Sequence, residues 1–319
     1  MAGYTNQRVL TPMRVQARSG SQMEAWYRSK ASLPGRAWPM PKAIAPGIDP
    51  APLQDLMFHG GKVVPQMEFQ NVYLGGAASW AAQDVAFIDA AIEHAMRHKR
   101  LNNVMAQYFP GAKVSCDMRA SIVVEEPKPA RLDEPDVQAK VISLIDSGQL
   151  RKRDLATCLF NLILPPGAVL KLGGDSSLGG LGGYHGSVHS TRAGKRRTIY
   201  YSANVFSQIL PNQRENGIAV FDRPWKNVVG TLYHEINEFR TDADVNDAIV
   251  QQNDDFLGWM SRRGSEVGDQ PIFAAGDAGD LRLVFKEVQD PPRRKRVPVQ
   301  FLYSNAVHGA EGPIARPHT

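Results

Sequence analysis

The residues best suited to chemistry are His234, Glu235 and Glu238, which stand in the run Tyr233-His234-Glu235-Ile236-Asn237-Glu238. On a helix, positions four apart project from one face, so the His234 imidazole and the Glu238 carboxylate are placed to grip one metal ion. Glu235, beside the histidine, is then placed to take a proton from a metal-bound water, as in helical HExxH sites. Downstream, the segments Asp242-Ala243-Asp244-Val245-Asn246-Asp247 and Glu266-Val267-Gly268-Asp269 are dense in carboxylates. Acidic side chains gathered near one helix end repel each other unless a cation or solvent separates them, a second reason to expect metal.

Glu266 is the preferred third ligand, because a carboxylate on a later segment can fold back across the helix. Asp242 continues the helical row of His234 and Glu238, and Asp269 and His185 extend the candidate set. One imidazole with two carboxylates suits zinc, with manganese or calcium as alternatives. In the catalytic reading Glu235 is the general base for water attacking a peptide carbonyl, and His185 or Tyr184 donates a hydrogen bond to the oxyanion. The bland reading makes the same residues a solvated helix flank with an ordinary histidine. Asp242-x-Asp244-x-Asn246 also opens like a calcium loop, but Asp247 stands where the sharp turn needs glycine and Asn253 where a bidentate glutamate belongs.

The element that must position the motif is a helix with Asp222 as N-cap and Pro224 in its first turn. Val228, Val229, Leu232, Ile236 and Phe239 form its apolar stripe. Ahead of it, alternation and apolar runs predict strands over 67–74, within 113–124, and over 155–164, 184–190 and 198–206. Helical periodicity predicts helices over 83–108 and 135–146. This order predicts one α/β (α+β) domain over residues 55–310, with a mixed sheet, a long backing helix and a late metal-bearing helix. The layout is zincin-like by analogy of fold. Residues 1–54 read as a basic, proline-rich, extended or disordered arm, and 311–319 as a tail.

The whole net charge of +5 falls in the first fifty residues, where seven Lys or Arg face only Glu24 and Asp49. Such an arm suits contact with nucleic acid or another polyanion; otherwise it is a solubilising tail or pro-segment. No apolar run reaches membrane-span length, and the start lacks the apolar core of a secretory signal. Cys116 and Cys158 are the only cysteines, too few for a disulfide framework. Together these features predict a cytoplasmic or otherwise reducing location, away from membranes, with a peptide or protein substrate. The oligomeric state is not legible.

Short pieces in a fixed order carry a family resemblance. They are Phe58-His59-Gly60-Gly61-Lys62-Val63, Leu164-Pro165-Pro166-Gly167, Gly183-Tyr184-His185-Gly186-Ser187, the HExxE run, Glu266-Val267-Gly268-Asp269, and Val299-Gln300 followed by Ser304-Asn305-Ala306. The chain thereby resembles a bacterial HExxE family of metallopeptidase-like proteins, distantly similar to the plant phosphate-induced, Exordium-like proteins. The resemblance implies a metallopeptidase-related fold. The plant branch lacks the HExxE pair, which implies an inactive lineage beside an active one, and this chain keeps the motif. Many relatives carry cysteine where this chain has Gly182-Gly183, Gln270-Pro271 and Gly309-Ala310. That departure matches a reducing location and not a secreted one.

Overall fold

Apolar runs of strand length place five strands side by side: β1 Gln66–Tyr73, β2 Ser115–Val123, β3 Cys158–Ile163, β4 Gly183–Arg192 and β5 Lys195–Asn204. Their order across the sheet is β2-β1-β3-β5-β4. The first four in that order run parallel, and β4 is antiparallel to β5 at the edge. Parallel neighbours need long crossovers, supplied here by α1 Ala82–Arg97 between β1 and β2 and α2 Glu134–Asp146 between β2 and β3. The computed structural model describes residues 37–39, 44–150, 154–192, 194–290 and 295–318.

Both faces of the sheet are covered. Phe69, Tyr73, Leu159, Ile163 and Tyr200 pack with α1 and with α3 Pro224–Thr241, while Val72, Phe160, Leu162, Tyr201 and Ala203 pack under α2. The two sets alternate along each strand because successive side chains point to opposite faces. An antiparallel pair, β6 Phe285–Asp290 and β7 Lys295–Gln300, closes over α3. Gly230, in the middle of α3, allows that closure: a Cβ there would lie 3.1 Å from the Phe285 ring.

The helix expected over 83–108 is shorter than its periodicity suggests. It stops at Arg97, followed by one turn at Lys99–Asn102 and a 3-10 segment at Val104–Tyr108. Asn102 is the physical reason, since its Nδ2 donates to the carbonyls of Ala95, Met96 and His98 at 3.0, 2.9 and 3.0 Å. The carbonyls of Ala95 and Met96 would otherwise be left open at the helix end. Asn102 Oδ1 in turn accepts from Arg240 Nη1 at 2.9 Å, fastening the end of α1 to α3.

α3 carries Pro224 in its first turn, as expected, but its N-cap is Arg223; Asp222 instead pairs with Lys226 at 2.7 Å. Asn227 holds the approach to the helix, its Oδ1 accepting the N–H groups of Val220 and Phe221 at 2.9 and 2.7 Å. From Asn227 to Thr241 every residue is buried. The division into an apolar stripe and a solvated flank therefore fails, because the polar flank is inside as well.

The folded body also passes its expected limits at 55 and 310. Ala37–Pro39 pairs in parallel with β6. The Ala45 and Ala51 N–H groups donate to the carbonyls of Ala310 and His308 at 2.9 and 2.6 Å. Beyond residue 310, His318 Nε2 meets Glu311 Oε2 at 2.8 Å. Residues 1–36 and 40–43, which hold most of the expected basic arm, lie outside the described residues. No helix among the described residues is long and apolar enough to cross a membrane.

Candidate metal centre

Three elements converge on one buried volume. α3 contributes His234, Glu235 and Glu238, and Asp242 follows at its C-terminal cap. β4 contributes His185, and the turn entering a further helix, Asp269–Asp277, contributes Glu266 and Asp269. Of these seven residues only His185 and Asp269 expose anything, 2 % and 5 %.

Their donor atoms form two triads. His234 Nε2 lies 2.7 Å from Glu238 Oε2 and 4.0 Å from Asp269 Oδ1. His185 Nδ1 lies 3.5 Å from Glu235 Oε2 and 4.0 Å from Glu238 Oε2. Within each triad the ligand atoms sit within 4.8 Å of one another. Apart from the short His234 Nε2–Glu238 Oε2 approach, none of them has a hydrogen-bond partner, and neither do both oxygens of Glu266 or Asp242 Oδ2. Buried polar atoms are almost always hydrogen-bonded, so such a concentration of bare lone pairs fits a cation far better than a packed protein interior.

Each imidazole is held by its other nitrogen. His234 Nδ1–H donates to Gln300 Oε1 at 2.8 Å, and Gln300 Nε2 donates to the Gly268 carbonyl at 2.6 Å. His185 Nε2–H donates to the Asp242 carbonyl at 3.1 Å. This network assigns the tautomers, leaving His234 Nε2 and His185 Nδ1 without protons, the orientation given to metal-ligating histidines by outer partners. Glu238 is aimed in the same way, its Oε1 accepting the Gly268 N–H at 3.0 Å. Position 268 requires glycine here, because a Cβ would overlap the His234 ring and Glu238 Oε1.

Electrostatics agree with geometry. Burial pushes the carboxyls of Glu235, Glu238, Asp242 and Glu266 well above the ordinary carboxylate range. Burial and then the Glu238 charge push Asp269 up to about 7. Burial drives His185 down to about 3 and His234 to about 4, so both imidazoles are neutral. Without a cation the cluster favours its uncharged forms; a divalent charge inverts that preference.

Of the residues singled out in the sequence, His185, His234, Glu235, Glu238 and Asp269 form the two triads. Asp269, not Glu266, completes the His234–Glu238 triad; Glu266 lies outside both triads, close enough to feel the charges of Asp242 and Glu238. His185 does not suit the oxyanion-donor role, since its one N–H is committed to the Asp242 carbonyl. Tyr184 does not suit it either. As the neighbour of His185 on a strand it faces the opposite side, against Tyr201 in the α2 core. The calcium-loop pattern disperses: Asp244 accepts from Tyr200 at 2.7 Å, Asn246 donates to Glu134 at 3.1 Å and Asp247 pairs with His189 at 2.7 Å. Gln300 and Gly268 were not singled out as site residues. Their signal was available, since Gln300 ends the apolar alternation of Val297 and Val299 and Gly268 sits between two acids. Comparison with protein-family models, with curated proteins and with solved structures gives no match, so the chemistry of the site is argued from its own residues.

Proposed function

We propose that the protein holds a divalent cation at His234, Glu238 and Asp269 and hydrolyses a peptide or amide bond beside it. The observation that supports this most is Glu235, a further carboxylate on the same helix face with both oxygens lacking a partner. A purely structural ion has no need of such a group. The mixed nitrogen and carboxylate donors suit zinc first and manganese second; calcium, which prefers oxygen alone, ranks last. When bound, such an ion supplies Lewis acidity, lowering the pKa of water and polarising a carbonyl. Glu235, whose carboxyl burial makes a strong proton acceptor, takes the proton of the attacking water and returns it to the leaving amine. Gln300 keeps the His234 lone pair aimed inward, and Gly268 does the same for Glu238. The antiparallel edge strand β4 beside α3 is what supports a zincin-like reading, by analogy of fold alone.

A second reading, a non-catalytic protein stabilised by the same ion, is favoured by burial. No ligand exposes more than 5 % of its surface, whereas catalytic metal sites keep one position open. Glu235→Gln separates the two. In a hydrolase, cleavage of a quenched-fluorescent peptide library falls by roughly 10²–10⁴-fold, while the ion at His234, Glu238 and Asp269 is retained. If the metal-loaded, unsubstituted protein cleaves no member of the library, the second reading stands and the hydrolase reading is lost.

A further inference from the structure

We infer that the centre takes two divalent cations, with Glu238 shared between them and the second held by His185 Nδ1 and Glu235 Oε2. This deepens the metal reading above and rests on it. Two imidazoles present bare nitrogens to the same carboxylate oxygen: His234 Nε2 at 2.7 Å and His185 Nδ1 at 4.0 Å from Glu238 Oε2. They fall into separate triads, with Glu238 the one residue common to both. One ion at His234 would leave His185 Nδ1 fully buried, without a proton and without a partner.

Glu235 does not rescue that nitrogen by donating to it. At 3.5 Å the separation of His185 Nδ1 and Glu235 Oε2 is too long for an O–H···N bond. It is close to what two ligands of one ion require, because bonds of about 2.0–2.1 Å in tetrahedral array set neighbouring ligands roughly 3.3 Å apart. Charge points the same way. Glu235, Glu238, Asp242, Glu266 and Asp269 are all buried in one region, none exposing more than 5 %. A single divalent ion offsets less than half of that negative charge, while a pair offsets most of it. Two ions about 3.5–4 Å apart on a common carboxylate is the spacing of two-metal hydrolytic centres. Glu235 needs only Oε2 for the second ion, so Oε1 stays free to accept a proton. The nitrogen-containing donor set again selects zinc or manganese.

The test is the metal stoichiometry of the full chain, produced with Zn²⁺ or with Mn²⁺ and freed of loose ions by gel filtration. The expected result is two ions per chain, falling to one in His185→Ala. Because that variant is at risk of misfolding, electron paramagnetic resonance of the unsubstituted Mn²⁺ protein gives an independent readout, and an exchange-coupled pair is expected. One ion per chain with an isolated-ion spectrum overturns the two-ion centre and leaves the single-metal reading in place. Two ions retained in His185→Ala remove His185 from the site and overturn the assignment. No ion in either form overturns the two-ion centre and the metal reading together.

Discussion

Asn71 of β1, Asn161 of β3 and Ser202 of β5 stand opposite one another in register across the sheet, and His185 of β4 continues their row. The first three belong to a chain of hydrogen bonds that leaves only the terminal Asn204 Oδ1 without a partner. Asn204 Nδ2 donates to Ser202 Oγ at 2.8 Å, Ser202 to Asn161 Oδ1 at 2.8 Å, Asn161 Nδ2 to Asn71 Oδ1 at 2.9 Å, and Asn71 Nδ2 to Asp89 Oδ1 at 2.8 Å. Tyr73 and Ser121 add their hydroxyls to Asp89 at 2.6 and 2.5 Å. One strand further along, at His185, the pattern stops and the bare lone pairs of the α3 cluster begin. Asn71, Asn161, Ser202 and Asn204 are as fully buried as the cluster, so burial does not separate the two. What separates them is satisfaction: the ladder leaves one side-chain oxygen open, at its end, whereas the α3 cluster leaves most of its side-chain atoms open.

Chelation should break the comparison most sharply. Removing a tightly held ion takes away stabilisation of about 4 kcal/mol at a thousandfold excess over Kd, and leaves the asparagine ladder intact. The pH dependence should also change sign. In the chelated protein Asp269, raised to about 7 from an unfolded value near 3.9, keeps its proton when folded and loses it when unfolded. Its contribution is therefore full at low pH and is lost as pH rises from about 4 towards 7. Glu235, Glu238, Asp242 and Glu266 act in the same sense. His185 and His234, depressed to about 3 and 4, act oppositely, since their contribution is present above their unfolded value near 6.5 and lost below it. The carboxyls outnumber them, so Tm of the chelated protein should fall from pH 4 to 7. Tm of the loaded protein should rise, because ligands must shed protons to bind. Parallel Tm curves with and without chelator would remove the metal centre.

Asn161→Ala comes next. It strands the Asn71 Oδ1 acceptor and the Ser202 hydroxyl together, an expected loss of roughly 2–6 kcal/mol at about 1–3 kcal/mol for each unsatisfied group. Urea denaturation should return the same loss in chelated and loaded protein. A loss that depends on metal would show that ladder and centre are one network.

How much of this was legible follows from the same contrast. The HExxE face and the acidic segments stand out because their chemistry is local, and helix spacing alone brings His234 beside Glu238. The expected strands all form, with ends shifted by a few residues. The ladder went unread, although Asn71, Asn161 and Ser202 each interrupt an apolar run. Its meaning depends on strand order and register, which no single segment encodes. In the structure Asp269, not Glu266, groups with His234 and Glu238, because the turn at Gly268 decides which acid reaches the His234 side. Tyr184 was avoidable: period-two alternation already excludes it once His185 is placed at the site. The break after Arg97 was harder to foresee, because Asn102 acts through a contact made only once the chain folds back.

Gln300→Leu sharpens the boundary between the two regions from the site side. It removes the acceptor for His234 Nδ1–H, so the imidazole is free to turn or change tautomer. Loss of such an outer partner lowers metal affinity by about 10–100-fold, measurable by competition with a fluorescent chelator. Affinity unchanged within twofold would mean that the Gln300 contact serves packing alone.

Asn204→Ala should be the mildest change, and its smallness is informative. Asn204 ends the ladder: its Nδ2 donates to Ser202 Oγ at 2.8 Å, while its buried Oδ1 has no partner. Removing it breaks one neutral hydrogen bond and discards an oxygen that was already unsatisfied. The Ser202 hydroxyl keeps its own acceptor on Asn161. The expected cost is therefore about 1 kcal/mol, read as a shift in the urea midpoint at constant slope. Metal affinity should not move, because Asn204 touches neither imidazole. A cost comparable to that of Asn161→Ala would instead place the Asn204 amide oxygen in a contact as demanding as those of the ladder's centre. The division between satisfied scaffold and open site would then have to be drawn nearer to β4.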